Sequence, residues 1–300
     1  MSERKHSTTQ LLAAFAAVYF IWGSTYLFIR YAIQTLPPFL MASGRFLFGG
    51  ALLYGWSRWK GAPAASSLGW RRAFILGALL FLFGNGGVVT AEQWVPSGLT
   101  AVLVATVPLW VAIVVWMLPG GRRPSDQVAV GIVLGLCGVA LLIGAGNLRQ
   151  VGTVDPAGAA ILLFSSLSWA CGSVYAQRNH VSDSPLQASG MQMIGGGVFL
   201  LIAALVAGEF SKFEPARVSL ISLGAVVYLA IFGSIVAFTA YSWLLRATTP
   251  SRAATYAYVN PAVAVLLGWA IAGEPLTARM ILAMCVIVAA VMVITLSKQH

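Results

Sequence analysis

Apolar runs of about bilayer thickness recur from one end of this chain to the other, and they restrict its fold more than any motif does. Crossing the hydrocarbon core as a helix takes about 20 predominantly apolar residues. Reading between polar and Pro/Gly punctuation gives ten such runs, at 11–33, 38–57, 73–91, 96–118, 127–146, 157–177, 186–207, 219–242, 251–272 and 279–297. They are continuously apolar and lack the period-two alternation of barrel strands, so they predict helices. Hydrophobic residues make up 59% of the 300 and charged residues 9%, with a mean hydropathy of +0.86. A soluble domain carries about a quarter charged residues. The chain therefore reads as an all-α integral membrane protein with no segment that would form a soluble domain. The first run exceeds the roughly 7–15 apolar residues of a cleaved leader, so it is expected to stay as the first helix.

The net charge of +10 is not gathered into the long basic stretches that nucleic acid requires, and its distribution fits a membrane topology instead. With the N-terminus inside, the cytoplasmic segments hold Arg4, Lys5, Arg58, Lys60, Arg71, Arg72, Arg122, Arg123, Arg178, Arg246, Arg252 and Lys298. The other side holds Arg30, Arg149, Lys212, Arg217 and Arg279, and Arg45 lies inside a helix. This bias predicts both termini in the cytoplasm. Cys137, Cys171 and Cys285 fall in apolar runs without CxxC spacing. An odd count precludes complete disulfide pairing, and small buried packing residues are expected. No metal or cofactor is expected.

One phrase, Phe-Gly-x5-Thr-Ala-x2-Trp, is written twice, at Phe83-Gly84, Thr90-Ala91, Trp94 and again at Phe232-Gly233, Thr239-Ala240, Trp243. Other pairs follow in the same order. Pro96-Ser97 matches Pro250-Ser251, Pro108 matches Pro261, Trp22 matches Trp169, and Gly49-Gly50 matches Gly196-Gly197. Five helices is an odd number, so the second half enters the membrane from the opposite side. The expectation is two inverted five-helix repeats, 1–150 and 151–300, around a central cavity.

On these residues the chain resembles the drug/metabolite transporter superfamily in its EamA type. The resemblance rests on the two halves, the Arg45-Phe46 step, the Pro108 and Pro261 helices, and Gly273-Glu274-Pro275; the first half has Gly121-Arg122-Arg123 at the matching place, without the acid. It implies export of small organic metabolites through a cavity between the halves, with helices 5 and 10 peripheral. The YddG branch of aromatic amino-acid exporters is the closest relative it suggests.

Candidate working residues follow from chemistry and symmetry. Trp22 and Tyr26 share a helix face, as do Trp169 and Ser173. Such rings suit an aromatic solute by stacking plus one polar contact, and they equally suit a packed bundle core. Asn85, among three glycines, offers donors and an acceptor to a zwitterion or to a neighbouring helix. Pro108 and Pro261 each free a carbonyl in the preceding turn, as a static kink or as a hinge. Around its proline helix 9 has Tyr256, Tyr258 and Asn260, whereas helix 4 has Thr106 and Trp110, so the cavity should be asymmetric. Arg45 sits about 10 Å from the outer helix end, able to bind a carboxylate, to snorkel, or to serve structure and gating. Glu92, where the second copy has Tyr241, is the first residue to test for proton coupling. The general lack of buried carboxylates argues for facilitated diffusion or exchange.

The function expected is a secondary transporter exporting small amphipathic metabolites, amino acids including aromatic ones, by alternating access in the inner membrane. A nucleotide-sugar or phosphorylated-metabolite carrier is the alternative, and it needs deep basic residues where only Arg45 qualifies. HExxH, GxSxG and paired intramembrane Asp are absent, so no enzyme is expected. The expected partners are a small-molecule substrate and the lipid bilayer, with the monomer as the working unit.

Overall fold

A computed structural model describes residues 8–118, 125–143, 155–182, 184–247 and 256–296. Among the described residues every regular element is helical and no strand occurs. The long helices are, in chain order, α1 (Thr8–Ala32), α2 (Pro38–Trp59), α3 (Ser67–Ala91), α4 (Ser97–Met117), α5 (Asp126–Ile143), α6 (Pro156–Arg178), α7 (Pro185–Val206), α8 (Leu220–Leu244), α9 (Tyr256–Ala272) and α10 (Ala278–Leu296). Six of them, α1, α3, α4, α6, α7 and α8, are long and apolar enough to cross a bilayer. The apolar parts of α5, α9 and α10 are shorter, and Arg45 and several glycines dilute α2. Gly121-Arg122-Arg123 and Pro250-Ser251 lie outside the described residues, as does the side chain of Tyr258.

Several helices run further than their apolar runs, α3 and α2 among them. α3 starts at Ser67, where the Ser66 hydroxyl accepts the Gly69 N–H at 3.0 Å, so Arg71 and Arg72 sit in the second turn of a capped helix rather than in a loop. α2 continues to Trp59, where the Lys60 ammonium lies 5.3 Å from the Trp59 ring. A cation beside an amphipathic ring suits the headgroup level.

Lipid offers helices no hydrophobic reason to associate, so close van der Waals packing must hold them. Here the packing centres on α7. A Cβ on Gly190 would lie 2.6 Å from the Tyr54 nitrogen, and one on Gly50 would lie 2.8 Å from the Gly190 carbonyl. On the neighbouring strip of α7, a Cβ on Gly77 of α3 would fall 2.7 Å from the carbonyl carbon of Gly195. Only the absence of side chains allows α2 and α3 to lie this near to α7. Ser43 Oγ, donating to the Gly197 carbonyl at 3.0 Å, adds a polar tie across the same seam. α5 and α10 pair similarly, Gly138 facing Ile287. Outward side chains such as Leu220, Val206 and Met117 are largely exposed, as a lipid-solvated surface requires.

Three helices change pitch near the middle. π-helical turns occupy Ala17–Trp22 in α1, Gly77–Asn85 in α3 and Leu229–Val236 in α8. The wider turn shifts the face that follows and loosens the local carbonyl ladder. The two prolines act differently. Pro108 opens a fresh segment, Val107–Met117, after a break at Ala105 and Thr106, whereas Pro261 lies within continuous α9. Thr106 Oγ1 closes the break by donating to the Leu103 carbonyl at 2.7 Å.

Gly190→Ala should lower the thermal unfolding midpoint of the detergent-solubilised protein, by the equivalent of about 1–3 kcal/mol for overpacking. Gly44→Ala, with nothing within 4 Å of the added carbon, should not.

Candidate functional site

A proline at the N-cap position offers the first N–H groups of a helix no side-chain acceptor. α2 and α4 both begin this way, behind Pro37 and at Pro96. Their acceptors come from the far half of the chain. Gly208 and Gly273 adopt left-handed φ values of +66° and +63°, which stop α7 and α9 and turn the chain back. The next residue in each case is a glutamate. Glu209 accepts the N–H groups of Phe39 at 3.2 Å and Leu40 at 2.8 Å. Glu274 accepts the Ser97 N–H and Oγ–H, both at 2.8 Å, and the Gly98 N–H at 3.1 Å. Arg30 of α1 joins this cluster, with Nε 3.4 Å from Glu274 Oε1 and Nη1 donating to the Val95 carbonyl at 3.3 Å. A carboxylate at a helix N-terminus is favourable for charge as well as for hydrogen bonding. One face of the bundle is thereby latched.

Beneath that face lies a narrow central cavity of about 100 Å³, smaller than the roughly 300–1,000 Å³ of a drug-sized site. Its walls come from α1, α2, α3, α4, α6, α8 and α9. Trp22 is the hub of an aromatic cluster. Its ring meets Trp169 edge-on at 6.1 Å, Tyr256 edge-on at 5.3 Å and Tyr241 at 4.9 Å. Phe81 extends the cluster, with Phe46 at 4.6 Å and Phe238 at 5.5 Å. Edge-to-face contacts of this kind hold rings rigidly.

The polar side of the cavity is small and partly spoken for. The Arg45 guanidinium is buried, lies 4.2 Å from the Phe46 ring centroid, and donates from Nη2 to Asn85 Oδ1 at 2.8 Å. It turns inward and does not snorkel. Arg45 Nε and Ser234 Oγ have no hydrogen-bond partner among the described residues. With its amide oriented to donate, Asn260 bridges the carbonyls of Tyr19 at 3.0 Å and Tyr256 at 3.2 Å, meeting the loosened π-turn of α1.

Of the residues singled out from sequence, Trp22, Tyr26, Arg45, Asn85, Trp169 and Asn260 line this cavity together. Ser173 donates instead to the Trp169 carbonyl at 2.8 Å, and neither Ser173 nor Trp110 is among the lining residues. Glu92 is one turn beyond the lining residue Val88 and fully buried. The doubled phrase divides its work: Phe83 and Phe232 are half exposed on the outside, while Gly84 and Gly233 line the cavity. A Cβ on Gly84 would lie 3.1 Å from the Trp169 ring, and the Gly233 carbonyl accepts the Trp22 indole N–H at 3.2 Å. Sequence reasoning passed over Phe81, Phe238 and Thr25 as ordinary apolar-run residues. It also passed over Glu209, although Gly208-Glu209 repeats the Gly-Glu step of Gly273-Glu274.

The model of the EamA-like transporter family matches the chain twice, over residues 9–144 and 156–296. The chain belongs to the EamA-like transporter family. YedA of Escherichia coli K12, described as an uncharacterized inner membrane transporter, is 42% identical across 96% of this chain and 91% of its own length. YvbV of Bacillus subtilis, an uncharacterized transporter, is 25% identical across 97% of this chain and 92% of its own. A solved crystal structure shares the fold at a TM-score of 0.67 and 20% identity, covering 97% of this chain and 99% of that one. This is a family of membrane transporters, and the transporter names of these relatives accord with a protein that does no covalent chemistry.

Glu274→Ala leaves three buried donors at the start of α4 without an acceptor. It should destabilise the protein by about 2–3 kcal/mol, read as a lower unfolding midpoint. Arg217→Ala, which breaks an exposed pair with Glu214, should cost no more than about 1 kcal/mol.

Proposed function

We propose that the chain exports aromatic and other hydrophobic amino acids across the inner membrane by alternating access, as a monomer with both termini in the cytoplasm. The observation that carries this reading is the cavity itself, whose aromatic walls are accompanied by the buried Arg45 guanidinium and the Ser234 hydroxyl, with Nε and Oγ unpartnered among the described residues. A zwitterion placed there would set its carboxylate against Arg45 and Ser234 and its side chain against Trp22, Trp169 and Tyr256. The ring cluster suits a flat apolar side chain, in keeping with the YddG branch.

The machine we infer has ten spans in two inverted halves, 1–150 and 151–300. The double family match supports it, as do the crossed contacts in which Gly84 meets Trp169 and Gly233 meets Trp22. Alternating access then means rocking one half against the other about the cavity. With the termini inside, the latched face with Glu209, Glu274 and Arg30 is the outer one, and its bonds must part for release. Pro108, at the break in α4, is the natural hinge. The nucleotide-sugar alternative is disfavoured because Arg45 is the sole cation among the lining residues, too little charge for a diphosphate.

Proteoliposomes containing the protein should exchange labelled tryptophan or phenylalanine; absence of flux for every amino acid would sink the reading. Trp22→Ala and Trp169→Ala should each reduce that flux at least tenfold with normal expression, whereas full activity in both would return these rings to packing alone. A fluorescent protein fused after His300 should fluoresce, and an alkaline phosphatase fused there should be inactive. An active phosphatase would reverse the topology.

A further inference from the structure

Glu92, one turn beyond the cavity wall at Val88, is a buried acid whose chemistry the transport reading leaves unused. It is 2% exposed, and neither carboxylate oxygen has a hydrogen-bond partner among the described residues. The contrast with the other two buried glutamates is direct, because Glu209 accepts two N–H donors and Glu274 three donors and an arginine. The groups whose charge reaches Glu92 are Arg30 on α1, Arg45 on α2 and Glu274 after α9, and the Tyr26 phenol on α1 lies within reach of the Glu92 charge. Asp155, at the start of α6, is exposed and turned to the Gly158 N–H. Arg30 is bound to Glu274 and Val95 and Arg45 donates from Nη2 to Asn85, and neither donates to Glu92. An ionised carboxylate stripped of water and of donors is costly by far more than any neighbouring field repays at such range. A neutral carboxylic acid is not.

We propose that Glu92 is a proton-binding site of the transport cycle, so that the protein exchanges protons for its solute. In the latched state the carboxyl oxygen keeps its proton. When the Arg30–Glu274 contact parts, water from the outer face reaches the group and loads it. When the cavity opens to the other side, the O–H bond breaks, the proton passes to cavity water one turn away at Val88, and the carboxylate remains. That bare carboxylate attracts the ammonium group of an entering solute, so the site holds a proton or a cationic group by turns. The scarcity of carboxylates in the sequence pointed away from coupling; the isolation of this one points back towards it.

The exchange rests on the amino-acid reading, whereas the proton site does not, and the test separates them. Difference infrared spectra of the purified full-length protein between neutral and strongly alkaline pH should contain a protonated-carboxyl C=O band at neutral pH. The band should vanish in Glu92→Gln and shift in Glu92→Asp. A wild-type spectrum without it, or a band that survives in Glu92→Gln, overturns the proton site. In proteoliposomes with an acidic lumen and the membrane potential clamped, labelled tryptophan should accumulate up to about tenfold per pH unit for one-for-one exchange. Glu92→Gln should lose that stimulation, and Glu92→Asp should regain part of it. Wild-type accumulation that ignores the gradient, or that follows an alkaline lumen, overturns the exchange. If tryptophan does not move under any condition, the amino-acid reading falls, and the infrared result still decides the proton site.

Discussion

The close approach of α2 and α3 to the glycine face of α7 is the contact on which the rest of the architecture depends. In lipid, apolar side chains gain nothing by leaving their solvent for one another, so helix association needs intimate packing. Gly190, Gly195, Gly196 and Gly197 provide it by removing side chains where Tyr54, Gly77 and Leu47 must come near. Because α2 and α3 come early in the chain and α7 comes late, this seam joins its two parts. It also sets the width of the cavity, since α2 brings Arg45 and Phe46 and α3 brings Phe81, Gly84 and Asn85 to the wall.

The second constraint is the unmet N–H groups of helices whose N-cap residue is proline. Water cannot be relied on to satisfy them at a packed membrane face. Gly208-Glu209 and Gly273-Glu274 answer it from a distance, each by a left-handed glycine followed by an acid that caps α2 or α4. Stability and movement thus share the same bonds. In the proposed cycle, parting the Arg30–Glu274 contact exposes the helix ends and the carboxyl of Glu92.

Much of the cavity wall was legible beforehand, because its members break the rules of an apolar run. Trp22, Tyr26, Arg45, Asn85, Trp169 and Asn260 are large, polar or charged in mid-helix, and each such residue needs a reason. Phe81 and Phe238 break no rule and were passed over. Ser173 and Trp110 were chosen by spacing and symmetry, yet a serine hydroxyl can bond its own helix, and Trp110 lies beyond the break that Thr106 and Pro108 make. Helix spacing could not anticipate that break, nor the three π-helical turns, since both depend on which carbonyls find partners across the bundle.

By itself the sequence determined the class of the protein, the number and length of its apolar runs, the doubled phrase and the charge bias, because each is a matter of local composition against a solvent of fixed thickness. Only the tertiary structure decided which faces meet. It turned Arg45 inward onto Asn85 and assigned the Phe of the doubled phrase to the outside and the Gly to the cavity. It also gave two of three buried glutamates a full set of donors and left Glu92 with none. Those outcomes rest on contacts between residues far apart in the chain, and no local pattern encodes whether a distant donor arrives.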